Sequence, residues 1–180
     1  MLNITVPAWE GYDPIHNLFV ETEEQMLTLE HSLVSVSKWE SKWLKPFLSK
    51  TARTQEESVD YIRCMTLNCD INPEIYYALT PSLIKQIVNY IDAPMTATTI
   101  SHTQKHRGSP QILTNETIYY LMIFYGIPFE CQHWHLNRLL TLIGVCEAKG
   151  AKPQKIPLAE QAAMNRRLNA ARRKAWNTRG

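Results

Sequence analysis

Leu27-Thr28-Leu29-Glu30-His31-Ser32-Leu33-Val34-Ser35-Val36-Ser37-Lys38-Trp39-Glu40-Ser41-Lys42-Trp43 changes its period partway along. Up to Glu30 apolar and polar residues alternate, the two-residue repeat of a strand with one face in and one out. From Ser32 onward Val36, Trp39, Trp43 and then Phe47 fall on one narrow face of a helix, with Lys38, Lys42 and Lys45 off it. Pro46 has no amide hydrogen, so it must end or kink this helix, predicted over 32–48. Glu40 shares the face of Trp39 and Trp43. Its carboxylate there calls for a Lys or Arg from elsewhere in the chain, or for a place at an edge.

Upstream of this boundary the chain reads as short strands. Leu2-Asn3-Ile4-Thr5-Val6 alternates, Pro7, Gly11 and Pro14 punctuate, and residues 1–31 are expected to form a small β-meander or hairpin. Downstream, Thr54-Gln55-Glu56-Glu57 matches a capping box and opens a helix to about Leu67, with Val59, Ile62 and Met65 inward. Pro73 and Pro81 suit first helical positions, and Leu83, Ile84, Ile87, Val88 and Ile91 form a wide apolar stripe ending before Pro94.

Between 95 and 113 two β-leaning runs flank the polar tip Lys105-His106-Arg107-Gly108, which predicts a projecting hairpin. Two helices apolar nearly all round follow, Glu116 to Tyr125 and about Glu130 to Ala148. Such helices belong in the middle of a bundle or beneath a neighbouring subunit. The expected fold class is therefore mainly α: a single-domain helical bundle over 32–148, with a small N-terminal β element and, over 149–180, a linker and a basic C-terminal helix.

At 180 residues, 44% hydrophobic and 20% charged, the chain suits one soluble domain without help from disulfides or metal. No basic region followed by an apolar run opens it, and the longest apolar stretch, Ile118 to Phe129, is too short to cross a bilayer. A cytosolic protein with no membrane partner is the expectation. Cys64, Cys69, Cys131 and Cys146 lack framework spacing and read as buried thiols.

Cys131, His133 and His135, with Cys146, offer zinc-ligand chemistry. On one helix, however, Cys131 and His135 share a face while His133 points about 160° away, so caps and core packing fit better. His133, His135 and Asn137 bear a faint likeness to a nuclease class whose hairpin and metal framework does not fit the preceding segment. No phosphate-cradling loop, nucleophile elbow or two-metal acidic cluster occurs, so no cofactor, metal or catalytic residue is assigned and no enzyme is expected. Trp39, Trp43 and Trp134 suit the core better than an interface.

The net charge of +2 is uneven. Residues 149–180 carry nine Lys/Arg against the single acid Glu160, which leaves the rest acidic. On a helical wheel Met164, Leu168, Ala171 and Ala175 make a thin apolar seam among the arginines. Three uses remain open: a solvated helix on its own domain, docking on an acidic protein surface, and, less favoured, phosphate binding. Arg166, Arg167, Leu168, Arg172, Arg173, Lys174 and Trp176 are the candidate partner-binding residues.

The run from Leu29 to Trp43, Pro94-Met95-Thr96-Ala97-Thr98, Pro128-Phe129-Glu130-Cys131, Trp134-His135-Leu136-Asn137-Arg138-Leu139-Leu140-Thr141-Leu142-Ile143, and Asn169-Ala170-Ala171-Arg172-Arg173 with Asn177-Thr178-Arg179-Gly180 carry a resemblance. Together they resemble the tail assembly chaperones of long-tailed, siphovirus-like bacteriophages, across most of the chain from about Leu27. The resemblance implies a non-enzymatic factor that binds and solubilises the tape measure protein and helps bring tail tube protein to it. It further implies action in the host bacterial cytoplasm, absence from the mature virion, and room for a homo-oligomer. A structural subunit retained in the tail or connector and a nucleic-acid-binding module using the basic helix are the alternatives.

Overall fold

The computed structural model describes residues 1–13, 18–49, 51–98, 113–150 and 166–173. The chain divides into two compact units, Met1–Cys146 and Glu147–Gly180.

The first unit opens with β1 (Leu2–Val6), β2 (Trp9–Asp13), β3 (Leu18–Thr22) and β4 (Gln25–Leu29). β1 pairs with β4 and β2 with β3, both antiparallel. The register carries through from Val6 opposite Gln25 to Trp9 opposite Thr22. The ladders are thus two parts of one hairpin, interrupted where Pro7 cannot donate to a ladder. The buried face changes at the interruption. β1 and β4 bury Ile4, Val6, Leu27 and Leu29, whereas β2 and β3 bury Val20 and Thr22 from the opposite face. Gly11 makes this second packing possible, because the Trp9 indole lies over it and a Cβ there would meet the ring at 2.1 Å.

α1 (Leu33–Trp43) starts at Ser32, whose Oγ accepts the Ser35 amide at 3.3 Å. It stops at Leu44, which takes the left-handed φ of 52° and returns its amide to the Glu40 carbonyl at 2.8 Å. The helix therefore ends before Pro46 and short of the expected Leu48, yet Phe47 still reaches the core. α2 (Gln55–Met65) carries the full reciprocal capping box of Thr54 and Glu57. A 3-10 turn, Pro73–Ala78, leads to α3 (Pro81–Asp92), then α4 (Asn115–Phe124), a second 3-10 turn, Phe129–His133, and α5 (Leu136–Gly150). In the second unit the described helix spans 166–173.

The expectation of a mainly α helical bundle is corrected: the domain is helix-rich but mixed, with two small antiparallel sheets. The sheet residues are structural partners of the helices, not a peripheral addition. Beyond β4, Glu30 N–H donates to the Met65 carbonyl at 2.9 Å and Leu67 N–H to the Thr28 carbonyl at 2.9 Å, so the end of α2 extends the β4 edge. On the other side Leu136 N–H donates to the His31 carbonyl at 2.7 Å. One strand end thus ties together α1, α2 and α5, a role that a bundle would give to helix faces.

Four local expectations also change. Residues 95–98 form no strand, Met95 having a φ of 50°, and the rest of the predicted 95–113 hairpin lies outside the described residues apart from Leu113. The helix expected from Glu130 is a 3-10 turn followed by extended Trp134, and α5 begins only at Leu136. α4 is not sunk in a bundle, since only Asn115, Ile118 and Met122 are buried in it. Cys69 is exposed rather than buried.

Candidate docking surface

Aromatic residues in this chain fall into two kinds of environment. In α1 each indole nitrogen is used: Trp39 Nε1 donates to the Glu57 carbonyl at 2.9 Å, and Trp43 Nε1 to Asp60 Oδ2 at 2.9 Å. Phe47 meets Trp39 edge-on and Tyr61 at a tilt, with centroids 5.3 and 4.0 Å apart. Trp134 is half-buried beneath the Arg138 guanidinium, 4.0 Å from its ring. Trp39 and Trp43 are packed aromatics with satisfied polar ends.

α4 is different. Tyr120, Ile123 and Phe124 are 61%, 65% and 66% exposed and lie on one side of the helix, opposite buried Ile118 and Met122. Tyr120 and Phe124 stack at 6.1 Å, so the ridge holds its shape without a neighbour above it. Glu116 bounds its N-terminal end, one turn before Tyr120. There the ridge approaches a hollow of about 290 Å³ lined by Leu44, Pro46 and Glu116. Leu44 is 87% exposed in its left-handed backbone. The left-handed cap costs a leucine roughly 1–2 kcal/mol relative to glycine.

Glu40 fixes the ridge in place. It is buried, and among the described residues no Lys or Arg answers it; instead Oε1 accepts the Phe47 amide at 2.6 Å, and Oε2 accepts the Asn115 amide at 2.8 Å and its side-chain Nδ2 at 2.6 Å. The carboxylate therefore sits at the first turn of α4, where the helix's free N–H groups and dipole favour an anion. This corrects the expectation of a cationic partner or an edge position. The contact joins residues 75 apart in sequence, which is why no local pattern announced it.

A second hollow, about 530 Å³, opens between α2, the Pro73–Ala78 turn and α3. Asp60, Arg63, Tyr76, Tyr77 and Ile84 line it, and Ile84 with Val88 is the part of the α3 stripe left uncovered. Burial would raise Asp60, but hydrogen bonds from Lys42, at 2.5 Å, and Trp43 outweigh it and hold the carboxyl below its ordinary range. Charge of both signs is thus fixed on its rim.

His31 and His135 form a closed structural node. His31 Nδ1 lies 2.5 Å from Tyr61 Oη, and its ring meets His135 edge-on at 5.0 Å. His135 Nε2 lies 3.0 Å from the Tyr90 carbonyl, while Nδ1 accepts the Asn137 amide at 3.3 Å. Both His135 nitrogens are therefore occupied and none is left for a metal. His133 is exposed on the far side of the 3-10 turn, and among the described residues no His, Cys, Asp or Glu group could hold a metal ion. Tyr90 Oη donates to Glu30 Oε1 at 2.8 Å, completing the node. Burial, with His135 and Arg53 nearby, drops His31 to about 3.

Of the partner-binding candidates, Arg166, Arg167, Leu168, Arg172 and Arg173 are exposed on the 166–173 helix, and Lys174 and Trp176 lie outside the described residues. Sequence reasoning named that helix but missed the ridge. The all-round apolar reading of α4 was the available signal, and the bundle interpretation absorbed it. Among the described residues no helix is long and apolar enough to cross a membrane. No family model, curated protein or solved structure matches this chain.

Proposed function

We propose that this protein is a non-enzymatic phage tail assembly chaperone that binds the tape measure protein and keeps it soluble while the tail assembles. The observation that carries the reading is the exposed Tyr120–Ile123–Phe124 ridge on a helix whose other side is firmly packed. An apolar ridge standing out from a rigid domain suits the seam of a long client helix, with contacts every three or four residues. Large aromatics in such a place supply most of an interface's binding energy.

The arginines of the 166–173 helix draw acidic stretches of the client or of the tail tube protein toward the domain. The protein works in the host bacterial cytoplasm and leaves before the virion is finished. Co-expression with the tape measure protein tests the reading. The client is expected to move to the soluble fraction and to co-purify. A client that stays insoluble and does not co-purify contradicts the proposal, and abundant copies in purified particles favour a retained tail subunit instead.

A further inference from the structure

The face of β2 and β3 opposite buried Val20 and Thr22 carries paired acids and paired aromatics. Glu10 pairs with Glu21 and Tyr12 with Phe19 across the ladder, so all four share one face, and all four are exposed. Phe19 is 89% exposed and meets Tyr12 ring to ring at 5.3 Å. Two carboxylates directly opposite one another destabilise a ladder, and a two-stranded ribbon has little stability to spare. Among the described residues neither glutamate has an ion-pair partner. Residues 1–37 contain six acids and not one Lys or Arg.

The side chain that answers such a face is arginine. Its planar guanidinium pairs with a carboxylate and stacks on an aromatic ring at the same time, which lysine does less well. One segment of this chain has that chemistry: the 166–173 helix, with Arg166, Arg167, Arg172, Arg173 and the apolar Leu168 all exposed. Acidic residues at one end of the chain and basic residues at the other make each copy complementary to the next.

We infer that the Glu10–Tyr12–Phe19–Glu21 face is a self-association site that receives the 166–173 helix of a second copy. Two copies exchanging helices reciprocally form both contacts at once and close with two-fold symmetry, so the assembly stops at a dimer. The inference does not rest on the α4 ridge, which takes no part in it, but it shares the 166–173 arginines with the client reading, so the dimer would hold them away from a client.

Sedimentation analysis of the full-length protein tests this at about 10 mM and about 1 M salt, between which the screening length falls from roughly 30 to 3 Å. The mass is expected to rise from 20.8 kDa to twice that value at low salt, with dimer affinity at least about tenfold weaker at high salt. Glu10→Lys with Glu21→Lys, and separately Arg172→Glu with Arg173→Glu, should each remain monomeric. Mixing these two variants should restore the dimer, since each ribbon again meets a tail of opposite sign. The neutral pair Glu10→Gln with Glu21→Gln serves if the reversal disturbs the ribbon, and it should weaken the dimer without abolishing the fold. A wild type monomeric at every concentration, as docking within one copy would give, overturns the inference. So does a dimer that strengthens with salt, which would point to the α4 ridge, or a failure of the mixed variants to associate.

Discussion

α1 and α4 are both rich in aromatic residues, and the comparison between them explains more of this protein than either helix alone. In α1 the rings turn inward and every indole nitrogen finds an acceptor, Glu57 or Asp60, on α2. In α4 the two sides diverge: Ile118 and Met122 are fully buried, while Tyr120, Ile123 and Phe124 face outward. α4 is the more apolar of the two, with seven apolar residues in ten against five in eleven for α1, and its outer side is exposed where the aromatic side of α1 is covered by α2. An apolar helix face with no partner inside its own domain costs nothing in folding that the buried side does not already supply. It remains available for a partner outside.

The comparison breaks first in α1. Trp39→Ala leaves a cavity among Phe47, Tyr61 and Glu57 and removes the donor to the Glu57 carbonyl. It should destabilise the fold by about 3–5 kcal/mol in chemical unfolding, with client binding lost only because the fold is lost. A loss under about 1 kcal/mol would place Trp39 with the surface aromatics.

Acid should act nearly as strongly. The folded pKa of His31 is about 3, below the roughly 6.5 of an unfolded chain. The unfolded state therefore binds the proton first, and stability is complete above pH 6.5 and falls progressively as pH drops from there toward 3. The full effect is on the order of 5 kcal/mol. His31→Gln should flatten that part of the stability curve; an unchanged slope would remove His31 as the cause.

Glu40→Ala sharpens the link between the two helices. It strands the Phe47 and Asn115 amides and frees the first turn of α4, at about 2–3 kcal/mol. Hydrogen exchange should then rise in α4 before α1. Leu44→Gly has a smaller effect of opposite sign, a gain of up to about 1 kcal/mol, because glycine adopts the left-handed cap without strain.

Sequence made the locally encoded parts legible. The Thr54 and Glu57 capping box and the Ser32 start of α1 rest on residues within a turn of one another, and the strands of the N-terminal hairpin each show in their own alternation. What was illegible depends on distance in sequence. β4 is completed by the end of α2, the His31 carbonyl by α5, and Glu40 by the first residue of α4. Those contacts convert a bundle pattern into a mixed domain, and no periodicity contains them. The ridge was half legible: the apolar composition of α4 showed, but which side would be left uncovered depends on α1 packing against the other.

The most direct measurement pairs stability with binding in one variant, Tyr120→Ser, Ile123→Ser and Phe124→Ser together. Exposed positions of this kind change stability little, within about 1 kcal/mol, so the melting temperature should stay within a few degrees of wild type. Affinity for a soluble tape measure fragment, measured by titration calorimetry, should fall at least about a hundredfold, as expected when an interface's central aromatics are removed. Undiminished affinity in a variant that remains folded would contradict the account, and so would a variant that unfolds because the ridge was core after all.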